Sequence, residues 1–201
     1  MVKMSSKAFF RKRVIENYGY ILDMFDGERR IRIRRFDGSF KEIRVVGLIG
    51  QLLGEKCFTL MEFQLNQDAV INFLERAYIG KGPRNKAIRF IRFVKYDELT
   101  YRAKENLPKA IEKSIILNED EWVNFFNRAG PINIRTHTLE LLRMIGKKTV
   151  FKIIEERERK PFESFRDFYH RVGVDPVKAI IDRVMEELRE EQKYYIFLCG
   201  R

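Results

Sequence analysis

LELLRMIGKKTVFKIIEER, residues 139–157, is the stretch whose reading decides the fold. Leu139, Leu142 and Ile145 recur at i, i+3 and i+6, one face of a short helix. Val150, Ile153, Ile154 and Arg157 give a second face with helical spacing. Between them lies Met144-Ile145-Gly146-Lys147-Lys148-Thr149, a tight connection with one glycine and two lysines. The pattern predicts a helix-hairpin-helix, a device that holds nucleic-acid backbone. A helix leaves its first four N–H groups without partners, and its dipole puts partial positive charge there. A glycine just ahead of it lets an anion come close, because no Cβ stands in the way. Lys147 and Lys148 add full charges. Nothing here reads a base edge, so the expected contact positions a backbone and specifies no sequence. The plainer alternative is an αα-hairpin whose glycine only caps a helix.

A repeat favours the binding reading. A shift of 27 residues lays Gly146 on Gly173, Ile145 on Val172, Leu142 on Tyr169, Val150 on Val177 and Ile153 on Ile180. Two hairpins, each too small to bury its apolar face alone, would pack as one four-helix unit over residues 132–191. Where the first copy has Lys147-Lys148-Thr149, the second has Val174-Asp175-Pro176. Pro176 suits the first helical position and Asp175 an N-cap. That carboxylate would repel a phosphate, so the first hairpin is the expected grip and the second its structural partner. Arg143, Met144, Ile145, Gly146, Lys147, Lys148, Thr149 and Lys152 are the candidate contacts of the first, Arg171 and Gly173 those of the second.

Upstream, residues 16–98 have strand grammar. Tyr18 to Phe25 reads as a first strand, and Glu28 to Phe36 and Phe40 to Val46 flank Asp37-Gly38, a hairpin signal. A two-residue turn would set Ile33 opposite Glu42 and mix faces. A three-residue loop, Phe36-Asp37-Gly38 with Gly38 left-handed, sets Ile31 opposite Ile43 and Arg32 opposite Glu42, and is the predicted register. It puts Arg30, Arg32, Arg34 and Arg44 on an outer face, which either tracks phosphates or is a solvated edge protected by charge. Further strands are expected at Cys57–Leu65, Arg76–Ile79 and Ala87–Tyr96. The turn with Lys81, Arg84 and Lys86 lacks the spacing of a P-loop and reads as a basic connection. On the last strand Arg89, Arg92 and Lys95 interleave with Phe90, Phe93 and Tyr96, a mixture suited to single-stranded nucleic acid. The alternation is imperfect, so some of these rings belong to the core. Short strands joined by turns over this length suggest a small closed or half-closed barrel.

Helical grammar begins near Asp97. Residues 99–131 read as a connector in which Leu99, Ala103, Leu107, Ile111 and Ile115 recur at i+4, interrupted by Pro108. Asn118 and Glu121 make a capping box, the stripe Trp122, Phe125, Phe126 is packing, and Gly130-Pro131 closes the segment. Residues 192–201, with YYIFL at 194–198, read as an isolated strand that needs a sheet edge, and the barrel is the expected partner. Residues 1–15 form a basic N-terminal arm.

Over 201 residues the net charge is +11, an excess that suggests a polyanionic partner, though a membrane surface would also serve. There is no run of 18 apolar residues and no apolar core of a signal peptide. Cys57, Cys199, His137 and His170 build no zinc spacing. The expectation is a cytoplasmic chain with no disulfide framework, no metal and no cofactor. No catalytic set stands out either. Enzymes that carry helix-hairpin-helix elements need a general base, a lysine nucleophile or paired carboxylates on metal, and Asp175 is better spaced as an N-cap.

The run LELLRMIGKKTVFKIIEERERKPFESF, with GEKCFTLMEF at 54–63, YIGKGPRNK at 78–86, YDELT at 96–100 and KYYIFL at 193–198, resembles the archaeal domain-of-unknown-function 655 family. The likeness spans about residues 16–198. It implies an α+β protein, an N-terminal OB-like β-barrel followed by a tandem helix-hairpin-helix domain, keeping company with translation and ribosome-related proteins. One departure stands out. The family motif reads Pro-Gly-Ile-Gly where this chain has Arg143-Met144-Ile145-Gly146. A demand for φ > 0 at Met144 would cost roughly 1 kcal/mol or more. The combined expectation is a non-catalytic nucleic-acid-binding protein, RNA first, monomeric by default. A DNA-binding accessory factor in repair or recombination and a protein–protein adaptor are the alternatives.

Overall fold

The computed structural model describes residues 16–34 and 38–199; the expected arm at 1–15 and loop residues 35–37 lie outside the described residues. Two compact units part within one helix: a sheet unit ends at Ile111 and a helical unit begins at Glu112. The segment expected as a connector, 99–131, is thus shared between them.

The sheet unit has five strands, β1 (Tyr18–Arg34), β2 (Phe40–Gly54), β3 (Leu60–Leu65), β4 (Arg76–Tyr78) and β5 (Ala87–Phe93). They form one antiparallel sheet in the order β4-β1-β2-β3-β5. Ile31 faces Ile43 and Arg32 faces Glu42, and Gly38 has φ of +84°, as the three-residue loop requires. β1 is one strand rather than two. Pairing runs through Gly27 opposite Gly47, since backbone donors and acceptors need no side chain to join the ladder. All five strands contribute to a core of Ile21, Leu52, Met61, Phe63, Leu65, Ala77 and Ala87. Among the described residues no ladder joins β4 to β5, so no closed barrel is found.

Helix α1 (Tyr101–Leu117) starts on the sheet. The Thr100 hydroxyl donates to Asp23 (2.6 Å) and accepts from the Ala103 amide, and the Thr100 amide donates to Gln51 (2.9 Å). Pro108 does not interrupt it. The proline's local cost of about 3 kcal/mol is offset by burial of Leu107, Ala110 and Ile111 around it. Asn118 makes no capping box for α2 (Glu119–Arg128). Its side-chain amide instead donates back to the Ser114 carbonyl (2.9 Å), satisfying the end of α1.

The helical unit continues with a small hairpin, β6 (Pro131–Asn133) and β7 (Thr136–His137), then α3 (Lys147–Arg159), α4 (Phe165–Val172) and α5 (Pro176–Arg189). Ahead of α3 the expected first helix is only a 3-10 turn, Thr138–Leu141. Leu139, Leu142 and Ile145 are still buried, so the apolar spacing is that of a chain folded over a core, not of an α-helix. The start of α5 follows expectation. Gly173 is left-handed (φ +84°) after α4, and Asp175 caps α5 with Pro176 in its first turn. Residues 194–198 form no strand. The amides of Ile196, Phe197 and Leu198 donate to the buried Glu187 carboxylate on α5 (2.8, 3.1 and 3.0 Å), and Phe197 packs against Trp122 and Phe125. A carboxylate side chain thus replaces the sheet edge as the acceptor of these orphan donors. Both cysteines are disulfide-bonded, which corrects the expectation of a chain without disulfides; the number and spacing of cysteines in a sequence do not report their oxidation state. Among the described residues no helix is long and apolar enough to cross a membrane.

Candidate nucleic-acid interface

Three helices of the helical unit begin after a turn, and two of them plug their own N-terminal donors. The Ser164 hydroxyl accepts from the Asp167 amide (3.0 Å) at α4, and the Asp175 carboxylate from the Lys178 amide (3.1 Å) at α5. At α3 the N-cap is Gly146, with no side-chain cap and no acidic residue in the first turn. A Cβ placed on Gly146 would meet nothing within 4 Å, so its forward face is open. Lys147 and Lys148 are exposed, and among the described residues neither is held by a carboxylate. Gly146 is extended (φ −88°, ψ 175°), not left-handed, and Met144 does not adopt φ > 0, so the feared strain there is absent. Ile145 is buried and anchors the turn.

Sequence reasoning missed Phe151. It lies one turn into α3, on the side of Lys147 and Lys148 at i−4 and i−3, with 73% of its surface exposed. Met144, also partly exposed, lies in the turn just ahead of α3. The signal was available. Phe151 is a large apolar residue out of phase with Val150 and Ile153, one turn after Lys147 and Lys148.

Other candidates from the helical unit are engaged internally. Arg143 pairs with Glu186, Lys152 donates to the Val172 carbonyl (3.0 Å), and Arg171 binds Glu156 (3.0 Å), Asp167 (3.1 Å) and the Lys160 carbonyl. Lys152 and Arg171 therefore knit α3 to α4, and Gly173 ends α4. At the end of β7, Nδ1 of His137 accepts from the Leu139 amide (3.2 Å). Burial and the nearby Arg157 hold its imidazole below the ordinary value of 6.5.

In the sheet unit the basic residues likewise divide. Glu62 is fully buried and accepts from Arg29 (2.8 Å), Gln51 (3.2 Å) and Arg92 (2.9 Å). Burial opposes its charge, but these donors hold the carboxyl below its usual range; Glu62 in turn raises Arg29, and Glu98 with Glu62 raises Arg92 against the burial that opposes it. Arg92 also pairs with Glu98, so it serves the fold. Lys86 is taken by Glu75, and Arg84 donates to the Gly80 carbonyl (2.8 Å) with its guanidinium over Phe63. Lys81 and Arg89 are exposed. On the β1–β2 ribbon Arg30 and Arg32 are exposed, Arg32 lies over the Phe40 ring (4.3 Å), and Arg44 pairs with Glu28. The Arg34 side chain lies outside the described residues.

The profile of a family described as "Protein of unknown function (DUF655)" matches residues 15–199. The uncharacterized protein MJ0038 of Methanocaldococcus jannaschii is 47% identical over 152 residues, 75% of this chain and 70% of its own length. The crystal structure of Af1531 from Archaeoglobus fulgidus, of the same family, superposes with a TM-score of 0.77 at 37% identity, covering 90% of this chain and 99% of that one.

Proposed function

We propose that this chain, which belongs to the DUF655 family, is a non-catalytic nucleic-acid-binding protein whose leading ligand is RNA. The observation that carries the reading is the contrast among helix starts in one unit: α4 and α5 are capped by their own side chains, and α3 is left open beside Lys147 and Lys148. A glycine N-cap forgoes a few tenths of a kcal/mol that a capping side chain would supply, and it leaves donors that a bound phosphate would satisfy. Phe151 adds an exposed ring next to that grip. We read the two hairpins as a tandem helix-hairpin-helix in which the first holds backbone and the second supports it. The sheet unit, with a core fed by all five strands, is read as an OB-like half-barrel whose exposed arginines offer phosphate contacts of their own. We read the setting as translation-related, on the family resemblance alone.

The test is the salt dependence of RNA binding by the full chain. Lys147→Glu with Lys148→Glu should weaken binding and flatten the log–log salt slope by about 1.4 on a single-stranded probe, two contacts at about 0.7 each. A double variant that tracks the parent protein at every salt concentration would remove α3 as the grip. Competition between RNA and duplex DNA of equal length separates RNA from DNA, because only RNA offers a 2′-hydroxyl.

A further inference from the structure

We propose that Phe90 and Phe93 on β5 form a stacking platform for unpaired bases, so that the sheet unit takes a single-stranded stretch of RNA. This rests on the RNA-binding reading above and adds the class of RNA and the surface that receives it. Three rings climb from the core to solvent. Phe63 is 2% exposed, Phe90 36% and Phe93 61%. Phe90 meets Phe63 edge to face with centroids 5.5 Å apart, and Phe93 tilts against Phe90 at 4.9 Å. The buried ring fixes the second and the second steadies the third, so the outer ring is ordered before any ligand arrives.

The neighbourhood selects a polyanion. From Lys81 to Lys95 the chain carries six cations and no carboxylate. Arg92 and Lys86 are neutralised by Glu62, Glu98 and Glu75, which leaves Lys81, Arg84, Arg89 and Lys95 with no carboxylate partner among the described residues. Rings with cations spaced along the same strand suit a single strand, where bases present free π-faces and phosphates run alongside. A duplex has its bases already stacked on both sides and offers none to Phe93. A peptide adding a strand is the competing occupant of an edge, and β5 is poorly shaped for it. Its pairing with β3 shifts register twice, between Glu62 and Phe63 and between Gln64 and Leu65, so the ladder that a new strand would extend is broken. Tyr96, the third ring expected from the sequence, lies under the Lys104 ammonium (5.3 Å) and is not part of the platform.

The experiment measures anisotropy of labelled oligouridine and of a blunt RNA duplex of equal length, at one salt concentration, with the full chain. Phe93→Ala should weaken oligouridine binding about 5- to 150-fold and leave duplex binding unchanged. Phe93→Trp should keep the affinity, and oligouridine should quench its added emission, which buried Trp122 does not report. That quenching also decides the matter if the alanine variant melts early. Oligouridine affinity unchanged by Phe93→Ala, or an equal loss on the duplex, would overturn the platform. So would a parent dimer that Phe93→Ala dissociates without changing RNA affinity, which would assign the rings to self-association. If Lys147→Glu with Lys148→Glu weakens RNA binding and Phe93→Ala does not, the platform alone falls. If the parent protein binds neither RNA at low salt, the RNA reading falls and takes the platform with it.

Discussion

Replacing Gly146 by aspartate should make the protein more stable and bind RNA worse. The position accepts a side chain freely: its φ of −88° and ψ of 175° suit any L-residue, and a Cβ there meets nothing within 4 Å. Asp175 supplies the template, an extended N-cap whose carboxylate accepts from the amide three residues on, at 3.1 Å. By the same geometry Gly146→Asp would close over the Thr149 amide. The cap itself is worth a few tenths of a kcal/mol over glycine, the charge at the helix start about 0.3–1, and the stiffer unfolded chain about 0.4–1. A gain of about 1 kcal/mol is a rise in Tm of about 2–4 °C for a chain of this size. Binding moves the other way. The carboxylate takes a donor from the phosphate and repels it, and one hydrogen bond to a charged group is worth about 1.5–3 kcal/mol, or roughly 10- to 150-fold in affinity. Thermal melting and RNA anisotropy on one preparation check both signs together. A variant that melts higher and still binds RNA as tightly as the parent protein would show that the open donors of α3 are not a phosphate socket.

Two more expectations concern the helical unit itself. The imidazole of His137 is held below 6.5, so folding disfavours its protonated form; stability should be full above pH 6.5 and be lost progressively as pH falls from there towards the depressed folded value. His137→Asn, which can still cap the turn, should flatten melting temperature against pH over that window, and an unchanged pH profile would exclude His137 as its origin. Glu187→Gln should destabilise the unit by about 3–5 kcal/mol, a fall in Tm of about 6–20 °C, because a neutral amide cannot accept from Arg183 and three backbone amides together. Faster proteolysis of the C-terminal segment, followed by mass spectrometry, would locate the loss, whereas parent-like resistance would count against the clasp.

Local chemistry was legible without coordinates. The Ile31–Ile43 register followed from period-two alternation and a glycine able to adopt φ > 0, both properties of a few neighbouring residues. Asp175-Pro176 announced a helix start for the same reason, and Gly146 with its lysines could be named as an opening before α3. Helix length before α3 was not legible. Leu139, Leu142 and Ile145 fit a helical stripe equally well as three buried points of an irregular chain, and burial by distant residues chose between them.

Charge was the least legible property. Arg89 and Arg92 look alike in a basic, aromatic strand, yet Arg92 is committed to Glu62, thirty residues away, and Arg89 is exposed. The same holds for Arg171 and Lys152, spent on joining α3 to α4. Composition by itself determined that this protein carries an excess of positive charge, and local residue chemistry determined the β1–β2 register and the start of α5, since these depend on the residue and its near neighbours. Which cations remain free for a ligand, whether a C-terminal YYIFL becomes a strand or a clasped tail, and which phenylalanines reach solvent were decided only by the tertiary structure. Those outcomes turn on desolvation and on partners brought from far along the chain, and no local pattern encodes them.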